Sequence, residues 1–373
     1  MKIGIMTYHR AENYGSALQA FALNWFLRNQ LDVEAETVDY SSESQQEIYR
    51  IYQPERNAMD MFRNIHSLWH HKALKRRKVL FHDFLQANVP MSKFHGDNRQ
   101  ELLTACNSYD AMICGSDQIW NVGCTDYDSS YMLDGVTAPR IAYAPSLGVA
   151  SFTEDKCSDF KRCLPSFTAL STRETSGAKF LSELLSRDVE AVCDPVLLLT
   201  KEQWIDQLKL EGDENANRKP YILCYFIGHT AGMREFAQKV SRKTGMRAIV
   251  IIKNLRNIGR GFKNELATGP REFLSLLYHS SIIITDSFHA VSFSLIFHKK
   301  FWVFVDNTDG KRPNSRITNI LNLAKLESRI LTPENCNPTN CNSPIDFSYS
   351  DKQLSEFRNQ SVAFLKNSID SLR

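Results

Sequence analysis

Several things are missing from this sequence, and each absence narrows the field. No uninterrupted apolar stretch reaches membrane-spanning length, so no transmembrane helix is expected. The opening Met1–Tyr8 meets polar residues too early for the apolar region of a signal peptide, and it reads as a first strand. There are nine cysteines, an odd number, with no C-x-x-C pair among them. Cys114, Cys193 and Cys224 lie inside apolar runs, where a thiol behaves as a small hydrophobe. This argues against a disulfide framework and for a reduced, cytoplasmic setting. The net charge is only +3, too small to imply a nucleic-acid partner. No short-period repeat or low-complexity segment occurs. His66 and His70 have helical spacing, but no carboxylate or third histidine falls in register, so no metal is expected.

What is present is ordinary in bulk: 373 residues, 43% apolar and 23% charged, enough for two domains or one very large one. Order appears in how the apolar runs end. Lys2–Tyr8 reads as a strand, His9–Gly15 as a polar loop, and Ser16 as the cap of a helix carrying Leu18, Phe21, Ala22 and Trp25 at helical spacing. Val33–Tyr40 follows as a strand. Tyr109–Cys114 is a strand ending in Gly115-Ser116-Asp117-Gln118. Small residues there suit close approach of a ligand, or form a turn in which Asp117 caps a helix. Arg140–Pro145, Phe167–Leu170 and Val189–Cys193 end in similar polar clusters. In the second half, Tyr221–Ile227 and Met246–Ile252 are strands. Then Pro270 opens a helix, Ser281–Thr285 is a β-branched strand, Ala290–His298 is a helix apolar almost all round, and Phe301–Val305 is another strand. The polar turn Asp286-Ser287-Phe288-His289 sits between strand and helix. Ligands of open α/β sheets bind there, and a helix start favours an anion.

The charged, turn-rich stretch Glu211–Pro220 predicts a mobile boundary near residue 215. The expected domains are a Rossmann-like domain over 1–210, with a helical insertion around 41–108, and a second over 211–350. Residues 351–373 form a helix that crosses back onto the first domain. The fold class is α/β, with two Rossmann-like domains facing across a cleft in a GT-B-like arrangement. The basic run at 70–78 reads either as a solvated helix face or as a weak contact with an anionic membrane surface.

Six short segments carry a family likeness. Asn13-Tyr14-Gly15-Ser16-Ala17-Leu18-Gln19 resembles NYG-x-x-LQ, and Gly115–Asn121 resembles GSDQ-x-WN. Tyr143-Ala144-Pro145-Ser146 resembles YA-x-S, Arg173-Glu174 sits in S-x-RE, Asp194–Leu198 resembles DP-x-LL, and Thr285–His289 resembles TDSFHG. In this order, they resemble the polysaccharide pyruvyl transferases. Two departures are small: Ala290 replaces the usual glycine, and Thr172 precedes Arg173 where an apolar β-branched residue is common.

The resemblance implies phosphoenolpyruvate as donor substrate, with no separate cofactor. It implies a sugar or oligosaccharide acceptor, lipid-linked or free, and a pyruvate ketal as product. The cysteine usage and the basic run at 70–78 place such a protein in the cytoplasm or peripherally at the inner face of the membrane. The resemblance points to His289 as the proton-transferring residue and Arg173 as an anion clamp. Asp286 would orient His289 or cap the helix, with Ser287 beside the donor. Arg316 and then Lys311, beyond the next strand, would face the same anions or form a solvated loop. Asn13, Ser16, Gly115, Ser116, Asp117 and Gln118 would meet the acceptor. The chemistry suits these types, since arginine binds anions through a planar fork and histidine exchanges protons near neutral pH. Two competing readings remain: a GT-B-type glycosyltransferase with a nucleotide-sugar donor, and a non-catalytic glycan-binding member.

Overall fold

A computed structural model describes residues 1–228, 232–252, 258, 261–305, 315–331, 336–338 and 341–373. The chain divides into two units. The first comprises Met1–Arg50, His82–Leu199 and Ser355–Arg373, and the second Ile51–Phe81 and Thr200–Leu354.

The first unit is built on β1 (Lys2–Met6), β2 (Glu34–Tyr40), β3 (Met91–Gly96), β4 (Ala111–Cys114) and β5 (Arg140–Ala142). These form one parallel sheet in the order β3-β2-β1-β4-β5, with Ile3 opposite both Ala35 and Ala111. Two short strands, β6 (Ser171–Thr172) and β7 (Glu190–Ala191), pair beside it. The second unit has β8 (Tyr221–Tyr225), β9 (Arg247–Ile251), β10 (Lys263–Glu265), β11 (Ile282–Thr285), β12 (Lys300–Phe304) and β13 (Ile330–Leu331). Its order is β10-β9-β8-β11-β12-β13, again parallel. Both orders reverse direction in the sequence at one point, between β1 and β4 and between β8 and β11. Doubly wound sheets place their ligands there. The α/β class with two Rossmann-like sheets is therefore present.

The helices in chain order are α1 (Tyr14–Gln30), α2 (Glu43–Ile48), α3 (Ala58–Trp69), α4 (His71–Asn88), α5 (Arg99–Cys106), α6 (Ser158–Cys163), α7 (Thr175–Leu185), α8 (Lys201–Leu208), α9 (Met233–Thr244), α10 (Pro270–His279), α11 (Phe288–Ile296), α12 (Ser315–Ala324) and α13 (Ser348–Asp370). Two of them start at the reversal points. Every residue of α11 is buried, and so is almost all of α1 from Tyr14 to Leu27. Apolar side chains surround both helices, so neither has a solvent face.

The division departs from the expected one in two places. The boundary falls between Leu199 and Thr200, and residues 51–81 belong to the second unit. The charged stretch near residue 215 does not behave as a linker. Asn215 is buried and donates to Ser275 Oγ at 2.6 Å, and His279 Nε2 meets the Leu210 carbonyl at 2.8 Å. Arg271 donates to the carbonyls of Leu208 and Lys209 at 3.0 and 2.9 Å. These contacts fasten the loop to α10. The end of α13 lies in the first unit, where Ser361 Oγ accepts from Cys193 N at 2.8 Å and Arg358 donates to the Leu197 carbonyl at 2.5 Å. All nine cysteines are thiols, and burial raises several, Cys106 to about 12 and Cys193 to about 11. Among the described residues no helix is long and apolar enough to cross a membrane, and no cluster of histidine, cysteine and carboxylate could hold a metal ion.

Candidate functional site

Each unit gathers its polar residues where its strand order reverses. In the first unit the gathering begins at Gly115. Its φ is +137°, and a Cβ there would stand 1.9 Å from the Tyr143 carbonyl oxygen, so only glycine fits. The backbone then turns through Asp117, itself at φ 71°. No helix follows directly, so Asp117 is not a cap. Its Oδ1 accepts from Gln118 N at 2.9 Å, and its Oδ2 accepts from the Ser16 hydroxyl. Ser16 is not a cap either. Asn13 caps α1, its side-chain oxygen accepting from Gly15 N at 3.0 Å.

Gln19, which none of the site expectations included, ties the two loops together. Its amide donates to Thr7 Oγ1 at 2.9 Å and to the carbonyls of Tyr8 and Ser16 at 3.0 Å, and its oxygen accepts from Ser116 N at 3.2 Å. The terminal Gln of the NYG-x-x-LQ segment was the sequence signal for it.

Arg173 lies within this network. Its side chain is 2% exposed, and its guanidinium is 2.6 Å from Asp194, 3.6 Å from Glu174 and 3.9 Å from Asp117. Burial pulls its pKa down, but Asp194, Glu174 and Asp117 outweigh that and hold it above the ordinary value. Ser116 Oγ donates to the Ala144 carbonyl at 2.7 Å and approaches Asp194 at 3.4 Å. These placements bear on two expectations. Arg173, expected as an anion clamp, is buried among three carboxylates, with NH1 donating to Asp194 Oδ2 at 2.6 Å. Ser16 and Ser116 are also buried, and their hydroxyls are engaged. Of the residues expected to meet the acceptor, Asn13 and Gln118 retain partial exposure.

A second cluster on the same edge carried no sequence signal, because its members come from three strands. His9, following β1, places Nε2 at 2.9 Å from Asp39 Oδ1 and Nδ1 at 3.0 Å from the Thr7 carbonyl. Arg10 grips both oxygens of Asp39 through Nε and NH2. His95, opposite Asp39 in the β2–β3 register, adds Nδ1 at 2.8 Å. Burial pushes the Asp39 carboxyl up, but Arg10, His9 and His95 together hold it well below the usual carboxylate range.

The second unit is simpler. Thr285 Oγ1 donates to the Tyr225 carbonyl at 2.7 Å and accepts from Ser287 N at 3.0 Å, locking the end of β11 to β8. Both Asp286 oxygens accept backbone N–H groups of the loop after β8, from Ile227 and Gly228, at 2.7 Å each. Ser287 caps α11 by accepting from Ala290 N at 3.4 Å, so Asp286 does not serve as the cap. His289 is the second residue of α11 and is 8% exposed, with the Phe288 ring edge-on at 5.2 Å. The unit thus presents one imidazole at a helix start whose dipole favours an anion. Arg316 is the second residue of α12. That helix follows β12 in a parallel crossover, so it begins at the same carboxyl edge of the sheet. Lys311 lies outside the described residues.

Solved structures that resemble the whole chain include a UDP-GlcNAc 2-epimerase from Neisseria meningitidis, at 12% identity and TM-score 0.47, covering 98% of this chain and 94% of that one. An S. aureus MnaA–UDP complex matches at 13% identity and TM-score 0.49, covering 98% and 97%. The E. coli heptosyltransferase WaaC with ADP matches at 10% identity and TM-score 0.39, covering 97% and 100%. No curated protein matches the chain. The model of one family, Polysaccharide pyruvyl transferase, matches residues 13–308, which takes in all six motif segments, so the chain belongs to that family of polysaccharide-modifying transferases.

Proposed function

We propose that the protein transfers the pyruvyl group of phosphoenolpyruvate to two hydroxyls of one sugar, forming a ketal and releasing phosphate. The observation that carries this is His289 at the buried start of α11, where the second sheet reverses, in a chain whose family match covers that turn. The donor brings a phosphate and a carboxylate. The N-terminal amides of α11 and the cation of Arg316 supply complementary charge at that edge. Ser287 contributes as the cap that holds the first turn open toward the donor, and Asp286 by fixing the turn against the β8 loop.

In the proposed reaction the imidazolium of His289 protonates the methylene carbon of the donor, leaving positive charge at its neighbour. One sugar hydroxyl adds to that neighbour, the carbon bearing the phosphate; phosphate departs from it, and the adjacent hydroxyl adds to the same carbon to close the ring. One hydroxyl proton restores the imidazolium and the other leaves with phosphate. Each step needs a proton moved at a carbon or an oxygen, which a positioned histidine does well near neutral pH. Gln118 and Asn13, the partly exposed residues of the first unit's cluster, are the proposed acceptor contacts. The acceptor is a sugar or oligosaccharide, lipid-linked or free.

The donor can be tested before the acceptor is known. Phosphoenolpyruvate at 100 times its dissociation constant should stabilise the folded protein by about 2.7 kcal/mol, and UDP-sugars should not. With a competent acceptor, phosphate should appear in proportion to donor consumed. Stabilisation by UDP-sugars with nucleoside diphosphate release, and none by phosphoenolpyruvate, would make it a glycosyltransferase instead.

A further inference from the structure

Helix α3 is inside out. Its apolar residues Met61, Phe62, Ile65, Leu68 and Trp69 recur at helical spacing and face solvent, with Phe62 58%, Leu68 64% and Trp69 81% exposed. The face turned to the protein is polar. Ser67 is the buried residue of the helix, and Asn64 clasps the backbone N–H and carbonyl of Gln53, each at 2.9 Å. Tyr52 holds the other side of this substructure, stacking on His71 with its hydroxyl 2.9 Å from the ring nitrogen. A helix that only needed to pack on its own unit would turn the opposite face inward.

Positive charge surrounds this face. Residues 50–78 contain eight Lys or Arg against two Asp or Glu, while the whole chain carries only +3. Lys72, Lys75 and Arg76 on the adjoining α4 are exposed, as is Arg63 on α3 itself. Trp, Phe, Leu and Ile on one face with Lys and Arg beside them is the composition of a helix that lies in a bilayer interface.

We infer that α3 and the start of α4 dock on an anionic lipid bilayer, with Phe62, Leu68 and Trp69 entering the headgroup boundary and Lys72, Lys75 and Arg76 meeting lipid phosphates. Charge decides against a second copy of the chain as the occupant, because two such faces would bring like charges together. The inference is independent of the donor chemistry, since none of these residues belongs to either polar cluster.

The test uses the full chain with vesicles. Wild type should co-sediment with phosphatidylglycerol-containing vesicles at low salt, much less at high salt, and weakly with pure phosphatidylcholine. Tryptophan emission should shift to the blue on binding, and Trp69→Phe should abolish that shift, since Trp120, Trp204 and Trp302 are buried and the half-buried Trp25 lies in α1, outside the docking face. The double variant Phe62→Ser/Leu68→Ser should lower partitioning by about tenfold or more. Each of Lys72→Glu and Arg76→Glu should lower it by at least about fivefold. All these positions are exposed, so melting temperature should not move. Two outcomes overturn the inference: no partitioning onto anionic vesicles at low salt, or partitioning that the double variant leaves intact. A wild-type dimer that the double variant converts to monomer, without vesicle binding, would instead assign the face to a second copy.

Discussion

The two units share a strand order and a helix buried on every side that starts where that order reverses, yet their polar chemistry differs in kind. In the first unit, charged groups answer one another: Arg173 faces Asp194, Glu174 and Asp117, and Arg10 with two histidines faces Asp39. In the second, Thr285, Asp286 and Ser287 are occupied with the backbone, and an imidazole is presented at a helix start. Five of the six family segments lie in the first unit and one in the second. Density of motif residues therefore tracks the rigidity of a frame here, while the sparse segment carries the group suited to proton transfer. Buried groups that satisfy each other are costly to disturb and poorly placed to bind a newcomer.

The strongest way to break that comparison is to remove the imidazole. His289→Ala should lower kcat by about 10²–10⁴, a larger effect than on donor affinity, because proton transfer is lost outright while the helix start and Arg316 still face the donor's anions. The readouts are phosphate release and donor calorimetry on the same preparations. Turnover at the wild-type rate would reduce the turn at Asp286–His289 to a helix cap.

Removing the guanidinium should have the opposite signature. Arg173→Ala leaves three buried carboxylates without their cation and should destabilise the first unit by about 3–5 kcal/mol, measured by urea unfolding. Arg173→Lys should recover only part of that, because an ammonium cannot address several carboxylates through a planar fork. Donor affinity of the folded variant should stay near wild type. A variant of normal stability with strongly weakened donor binding would restore Arg173 as a clamp and erase the contrast between the units.

Much of the frame was readable in the sequence because buried parallel strands announce themselves. Ile3–Met6, Ala111–Cys114 and Ile282–Thr285 are apolar runs, and each ends in the polar cluster that marks its carboxyl end. The strand β3 was not readable. Met91–Gly96 is an edge strand that is largely half-exposed, so it has no apolar run to detect. The boundary was misplaced because charge and turn residues at Glu211–Pro220 look alike whether they are solvated or fastened to α10. The partners of Arg173 were out of reach for another reason. A strand-end arginine in a motif looks the same whether it binds a ligand or a carboxylate, and Asp194 is 21 residues away in the chain. The inverted face of α3 is the same problem, since periodicity shows two faces without saying which one is inside.

The subtlest contrast concerns lone charges. At its two polar clusters the first unit sets buried charge against opposite charge. The second half-buries Lys299, whose ammonium sits 5.2 Å from the centre of the Tyr278 ring. Burial, and then repulsion from Lys201, push its pKa from 10.5 down to about 8. Between about 8 and 10.5 the unfolded chain binds more protons than the folded one, so stability rises with pH through that window. Below it the penalty is fully present. Asp39 behaves in the opposite sense, since its depressed carboxyl contributes stability above the ordinary carboxylate range and loses it as pH falls. The full fall in the Lys299 pKa would correspond to about 3 kcal/mol. Its side chain keeps some solvent contact, so screening reduces the expected effect to about 1–2 kcal/mol. Lys299→Met should therefore be more stable than wild type by that amount at pH 7, and the advantage should vanish above pH 10.5. Taking the difference between the two proteins at each pH removes the titration of tyrosines and thiols common to both. Equal stability at pH 7, with parallel pH profiles, would mean that the second unit solvates this lysine as well as water does, and the contrast in how the two units treat charge would fail at that position.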